Sequence, residues 1–237
     1  TIQGLIPTTM AKHLDLEEQE QLEQFKHFWN QYGNLITWVL IAVFGTVAAW
    51  NGWQYWQRQQ AAQASALYEE VTRAAQSGDA ARLDRSFADM KDRFAGTLFA
   101  HQAGLLVAKT LYEKGNVDGA KAALGWVADK SPDAGYQALA RLRLAGVLSD
   151  AKAYDDALKQ LAGTFPAEFQ PLAADRRGDI YLLQGKKAEA RDAFTQAYKG
   201  MDERTEYRRL VEVKLNSLGV DPQPAEAAPA AGAGAKS

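Results

Sequence analysis

Hydrophobic and polar positions fall into three regimes along the chain. Between Leu14 and Asn30, Leu14, Leu22, Phe25, Phe28 and Trp29 share one face of a helical projection, with Glu17, Glu18, Glu20 and Glu23 on the other. That spacing predicts an amphipathic helix. Between Lys26 and Arg58 there is no Lys, Arg, Asp or Glu, and an apolar run extends from Leu35 to Trp53. From Ala61 to Leu218 apolar residues recur at helical spacing in a background of Ala, Leu, Lys, Arg, Glu and Gln. No stretch sustains two-residue alternation, so no strand is predicted. Pro132, Pro166 and Pro171 all stand at expected helix starts, with Ser131-Pro132 reading as an N-cap followed by proline at the first helical position.

The central run predicts a membrane span. Its 19 residues make a helix of about 28 Å at ~1.5 Å per residue, close to the ~30 Å hydrocarbon core of a bilayer. Trp29 and Tyr32 precede it, and Trp50, Trp53, Tyr55 and Trp56 close it. Amphipathic rings at both ends match the headgroup layers. The run is too long for a cleaved signal peptide and no small-residue cleavage site follows it, so the span stays in the protein. Lys12 and Lys26 on one side balance Arg58 and Arg73 on the other, so positive charges alone leave the orientation open. Gly45-x-x-x-Ala49 and Ala48-x-x-x-Gly52 place small residues one helical turn apart, a spacing that permits close helix packing in lipid.

Three later segments repeat one spacing: Ala108, Leu111, Gly115, Ala120, Leu124; Ala145, Leu148, Lys152, Ala157, Leu161; and Gly178, Tyr181, Gly185, Ala190, Phe194. A weaker copy lies around Val71, Gly78, Leu83 and Phe87. Small residues let two antiparallel helices approach, large residues fill the flanking gaps, and the glycine between them ends the first helix in the left-handed conformation. One such pair cannot bury its apolar face alone, so neighbours stack. This spacing resembles the tetratricopeptide repeat, with departures. The motif's early tryptophan is replaced by Gly104, Arg141 and Ala174, and Arg177 stands where leucine is usual. The fold expected is all-α, one N-terminal transmembrane helix followed by a tetratricopeptide-like solenoid. Glu203 to Leu218 is expected to cap it, with Tyr207, Leu210, Val211 and Leu218 inward.

Composition narrows the chemistry. There are 27 Lys+Arg against 29 Asp+Glu, so no global basic excess points to nucleic acid. Cysteine is absent, which excludes disulfides, thiolate metal sites and cysteine nucleophiles. His13, His27 and His101 are the only histidines, and no pair of them has metal-ligand spacing. His101 is expected to be a packing or surface residue, and Asp155-Asp156 to lie solvated in a turn between helices. Arg141/Arg143, Arg176-Arg177 and Arg204/Arg208/Arg209 form local basic clusters. No phosphate loop, catalytic constellation or cofactor motif is present, and the chain is expected not to be an enzyme and to carry no cofactor.

The resulting organisation has an upstream or added disordered segment at 1–9 before Met10, an acidic amphipathic segment at 10–32 and the span at 33–57. The repeat domain with its capping helix follows at 58–219, and a Pro/Ala/Gly tail, too poor in large apolar residues to fold, at 220–237. The tetratricopeptide resemblance implies a ligand groove lined by the first helix of each pair. By register it holds Leu105, Lys109, Tyr112, Leu139, Leu142, Leu172, Asp179 and Leu183. The set is mostly apolar, lacks the Lys/Asn clamp that holds acidic tails, and suits extended or amphipathic segments.

The whole chain is similar to the ancillary subunits of the bacterial SecYEG translocon. The resemblance rests on His27-Phe28-Trp29-Asn30-Gln31-Tyr32-Gly33-Asn34 ahead of the span, Trp53-Gln54-Tyr55-Trp56 after it, and the 67–81 region. It implies a single-pass protein of the bacterial inner membrane, anchored in the lipid bilayer by the span, with a cytoplasmic N-terminus and a periplasmic repeat domain. The implied partners are the SecYEG translocon, a membrane-anchored periplasmic chaperone of the prolyl-isomerase type, and unfolded or emerging envelope proteins. The alternative is a periplasmic repeat adaptor for envelope assembly or cell-division coordination.

Overall fold

Helix ends in this chain are written by short polar residues. Asp79, Thr97, Asn116 and Asp133 each accept a hydrogen bond from the backbone N–H three residues on, at 2.9–3.3 Å. Each satisfies an N–H that the first helical turn leaves without a carbonyl. In a computed structural model, residues 16–222 are described, and among them lie nine helices and no strand. They are α1 (Leu16–Ser77), α2 (Ala80–Phe94), α3 (Leu98–Glu113), α4 (Val117–Lys130), α5 (Ala134–Asp150), α6 (Tyr154–Leu161), α7 (Gln170–Leu183), α8 (Lys187–Gly200) and α9 (Glu206–Ser217). The expected segments 1–9 and most of the 220–237 tail lie outside the described residues.

The chain divides into two units between Arg58 and Gln59. In the first, α1 carries the apolar run with no helix break at 32/33. Leu35, Trp38, Val39, Leu40, Ile41, Val43 and Phe44 are all about half exposed or more, on every side of the helix. A helix apolar all round and uncovered by protein is long and apolar enough to cross a membrane.

The second unit is built from helix pairs. The end of α1 with α2, α3 with α4, α5 with α6, and α7 with α8 coincide with the four copies of the spacing. The repeated small and large positions are buried: Ala108, Ala120 and Leu124; Ala145, Ala157 and Leu161; Ala190 and Phe194. The core is three consecutive patches. The first joins α1 to α5, the second α5, α6 and α7, the third α7, α8 and α9.

The turn between the paired helices is the same in the last three pairs. Gly115 N donates to Tyr112 O at 2.9 Å and Asn116 N to Leu111 O at 2.8 Å, a pattern repeated at Gly185/Lys186 and at Lys152/Ala153. This pair of hydrogen bonds needs a left-handed residue just past the helix. Gly78, Gly115 and Gly185 supply φ of +77°, +80° and +75°, and Lys152 does so at +59°, the one non-glycine with positive φ among the described residues. Tertiary stacking of α5 and α6 imposes on Lys152 a conformation its Cβ disfavours.

Three expectations are corrected, and departures from the repeat pattern are explained. Ser131 is not an N-cap: it ends α4, its Oγ accepts from Asp133 N at 3.2 Å, and Asp133 caps α5. Asp155 and Asp156 sit in the first turn of α6 rather than between helices, where carboxylates favour the positive helix end. Asp156 there pairs with Lys159 at 2.8 Å. The capping helix begins at Glu206 and turns Val211, Leu215 and Leu218 inward, while Tyr207 and Leu210 are 39% and 47% exposed. Arg177 is structural: its Nη1 donates to Leu161 O at 3.0 Å and its Nη2 to Gln196 Oε1 at 2.9 Å. With α6 ending after eight residues, that cation satisfies a terminal carbonyl. Gly104, in the place of the motif tryptophan, lets α3 and α4 approach closely: a Cβ there would collide with Val127 Cγ2 of α4, whereas Phe87 and Trp126 stand at ordinary contact distance, 3.5 Å.

Candidate functional site: a groove across the first helices

The first helices of successive pairs, α3, α5 and α7, expose a depression of about 500 Å³. Leu105, Ala108, Leu124, Leu142 and Val147 supply apolar surface, and Gly146 opens a wall on α5. Lys109, Tyr112, Arg143, Asp150 and Arg176 supply the polar lining. Tyr112 donates its hydroxyl to Asp150 Oδ2 at 2.5 Å, tying α3 to α5 across the groove. That hydrogen bond to a carboxylate holds the phenol above its ordinary pKa. Lys109 meets Glu113 at 3.7 Å with both side chains mostly exposed, a pairing of little energetic weight.

Of the eight residues expected from register, Leu105, Lys109, Tyr112 and Leu142 come together in this groove. Leu105 is almost wholly buried and also belongs to the core. The other four lie elsewhere. Leu139 is half-buried against the first core patch. Leu172 and Leu183 are exposed at 37% and 59% but do not line the depression. Asp179 is engaged by the capping helix: Lys214 Nζ sits 2.8 Å from its Oδ1.

That ion pair is part of a network closing the solenoid. Asp175, whose side chain is 4% exposed, receives Lys214 Nζ at 2.8 Å and 3.0 Å and the Tyr207 hydroxyl at 2.7 Å. Burial first, then the carboxylate it binds, push the Tyr207 pKa up. Burial likewise raises Asp179, opposed by the Lys214 hydrogen bond. Tyr207 and Lys214 thus hold α9 on α7 through polar contacts, where Tyr207 was expected to pack inward beside Leu210, Val211 and Leu218.

His101 is the one buried imidazole among the described residues. It is fully enclosed, with ring centroids 5.4 Å from Trp126 and 6.4 Å from Tyr136, and neither ring nitrogen has a hydrogen-bond partner. Burial lowers its pKa below 6.5, with the Asp133 charge acting in the opposite sense. Among the described residues no cluster of His, Asp and Glu could hold a metal.

Similarity to known proteins bears on this arrangement. Residues 26–220 match the tetratricopeptide repeat-like domain family. The ancillary SecYEG translocon subunit of Neisseria gonorrhoeae is 32% identical over 213 residues, covering 88% of this chain and 100% of that protein. The subunit of the same name in Haemophilus influenzae is 29% identical over 203 residues, covering 86% and 98%. That of Escherichia coli is 28% identical over 205 residues, covering 86% and 97%. The chain belongs to the ancillary SecYEG translocon subunit family. No solved structure matches it.

Within this member of the family, sequence reading missed Arg143, Gly146, Asp150 and Arg176 as groove residues. A signal was present. Arg143 and Arg176 are 33 residues apart, the offset between the second and third units, so they occupy the same place on α5 and α7. Reading them as separate basic clusters concealed that equivalence.

Proposed function

We propose that this protein is an ancillary subunit of the SecYEG translocon, a single-pass inner-membrane protein with a cytoplasmic N-terminus and a periplasmic repeat domain. That domain holds a membrane-anchored periplasmic chaperone of the prolyl-isomerase type, or envelope proteins emerging from the channel, without catalysing a reaction. The observation that carries this reading is end-to-end similarity to relatives bearing that name. The uncovered apolar surface of α1 supports an anchor, and the groove on α3, α5 and α7 supports a binding role for the domain. Tethering a groove beside its partners raises the effective concentration to the millimolar range, so weak sites suffice.

Photo-crosslinking residues placed at Tyr112 and Leu142 in intact cells test the partner assignment. Adducts with translocon subunits, a periplasmic chaperone or unfolded envelope proteins are expected. Adducts confined to cell-division or outer-membrane assembly proteins would overturn the reading in favour of an envelope adaptor. The cysteine-free background makes orientation directly measurable. A membrane-impermeant maleimide should label Lys187→Cys in spheroplasts and Glu23→Cys only after lysis, and the reverse pattern would overturn the topology.

A further inference from the structure

We propose that the groove across α3, α5 and α7 selects protein segments in which a large apolar side chain is flanked by carboxylates. This rests on the reading of the groove as a binding surface, and it adds the chemistry of the occupant. Leu105 and Val147 lie in a depression rimmed by three cations, Lys109, Arg143 and Arg176, against one carboxylate, Asp150. The chain as a whole carries a net charge of −2, so this concentration of positive charge is local.

The one rim carboxylate is already engaged, since Asp150 accepts the Tyr112 hydroxyl at 2.5 Å. The cations are less committed. Arg143 is exposed and forms no ion pair with any described residue. Arg176 is exposed and shares its field with Asp179, whose nearest cation is Lys214. The solvent-exposed Lys109–Glu113 contact at 3.7 Å opens readily for a better anion. An apolar occupant therefore meets unneutralised guanidinium groups at the rim, and carboxylates flanking its anchor complement them.

Gly146 makes room for that anchor. Its repeat counterparts on α3 and α7 are Lys109 and Asp179, 37 and 33 residues away. A Cβ on Gly146 would meet nothing within 4 Å. The absence of a side chain there keeps the groove open without being required by the packing. It also permits a blocking substitution that leaves the fold alone. Gly146→Leu projects into the groove and, inside a helix, raises intrinsic helix propensity.

The test uses the full chain in lipid nanodiscs and fluorescein-labelled twelve-residue peptides, read by anisotropy at low and high salt. One peptide carries Leu and Phe flanked by Asp and Glu, the second the same apolar residues flanked by Lys, and the third the acidic residues without the apolar ones. The acidic–apolar peptide is expected to bind about tenfold tighter than its lysine counterpart, a preference that shrinks in high salt. The acid-only peptide should bind at least as weakly as the lysine one. Arg143→Glu combined with Arg176→Glu should reverse the order. Gly146→Leu should weaken the acidic–apolar peptide about tenfold or more while its melting temperature holds or rises. Equal affinity for the acidic and lysine peptides, both lost in Gly146→Leu, would overturn the charge selection and leave the groove as a binding surface. An acid-only peptide binding as well as the acidic–apolar one would overturn the apolar anchor. Binding indifferent to Gly146→Leu, or no saturable binding of any peptide, would overturn the groove itself.

Discussion

Gly178→Ala puts one methyl group at the closest approach of α7 and α8, and the structure gives the size of the problem. An ideal Cβ at Gly178 would lie 2.5, 2.6 and 2.8 Å from three carbons of the Phe194 ring. Ordinary contact begins at 3.4 Å, so the ring must retreat by nearly an ångström. It has nowhere to go: Phe194 is wholly buried among Ala174, Ala190 and Ala197, which share its core patch. Overpacking of this kind costs about 1–3 kcal/mol, and this contact is at the severe end. Helix propensity acts the other way, since alanine is better than glycine by about 1 kcal/mol. The net expectation is a loss of about 2 kcal/mol, or a fall of about 4–8 °C in Tm for a domain of this size. Urea and thermal unfolding of the full chain in detergent micelles, followed by circular dichroism at 222 nm, measures it. Gly125→Ala is the matched control, because its Cβ would meet nothing within 4 Å. It should stabilise by about 0.5–1 kcal/mol. In a double-mutant cycle, Phe194→Leu should recover more than about 1 kcal/mol of the Gly178→Ala loss. A Gly178→Ala protein as stable as the wild type would refute the claim that α7 and α8 meet at this contact.

Three further perturbations probe other parts of the fold. Lys152→Gly should stabilise by about 1 kcal/mol, because the left-handed conformation at φ +59° costs a side-chain-bearing residue about 1–2 kcal/mol. Lys152→Val should destabilise, and the same unfolding curves rank all three. Lys214→Met removes the cation from Asp175, whose side chain is 4% exposed. A loss of about 2–3 kcal/mol is expected, discounted from the fully buried case because Lys214 is 20% exposed. Hydrogen exchange should show α9 losing protection first, and uniform loss across the domain would contradict that placement. For His101, burial holds the folded-state pKa below the ordinary 6.5. The unfolded chain therefore binds the proton more readily, and stability is full above that value and declines as pH falls through 6.5 toward the folded pKa. His101→Phe should flatten the change in urea midpoint between pH 7.5 and pH 5, and an unchanged slope would show that the imidazole is not the source.

Periodicity alone carried much of this architecture. Helix interiors follow from apolar residues at 3.6-residue spacing, and the pairing of helices follows from Ala, Gly and large residues recurring 33 and 37 residues apart. These patterns are local, because a helix must bury one stripe and a tight interhelical turn must find a left-handed residue. The apolar run ahead of the repeats is equally local, since a length of helix with nothing charged in it is a property of the segment itself. Lys152 shows where the pattern continues through a residue that does not favour it. The turn persists there because stacking, not propensity, decides it.

What the pattern left open is how far each helix rotates about its own axis and which distant side chains then share a surface. For α9, Tyr207 and Leu210 fit an inward apolar stripe on paper, yet the buried side belongs to Val211, Leu215 and Leu218. The carboxylate of Asp175 needs the Lys214 cation beside it, and that requirement sets the helix's angle. Asp179 had the register of a groove residue but is 2.8 Å from the same lysine. Arg177 had the register of a core leucine but answers the carbonyl freed where α6 stops short. The groove is made in the same way. Lys109, Arg143 and Arg176 come from three helices; the repeat offset aligns the two arginines, but only the stacking brings Lys109 to the same rim. Local patterning fixes that there are helices, that they pair, and where the apolar span lies. The stacking of pairs, governed by close packing and by the need to satisfy buried charges, decided which side chains became core, which became clasp and which face the groove.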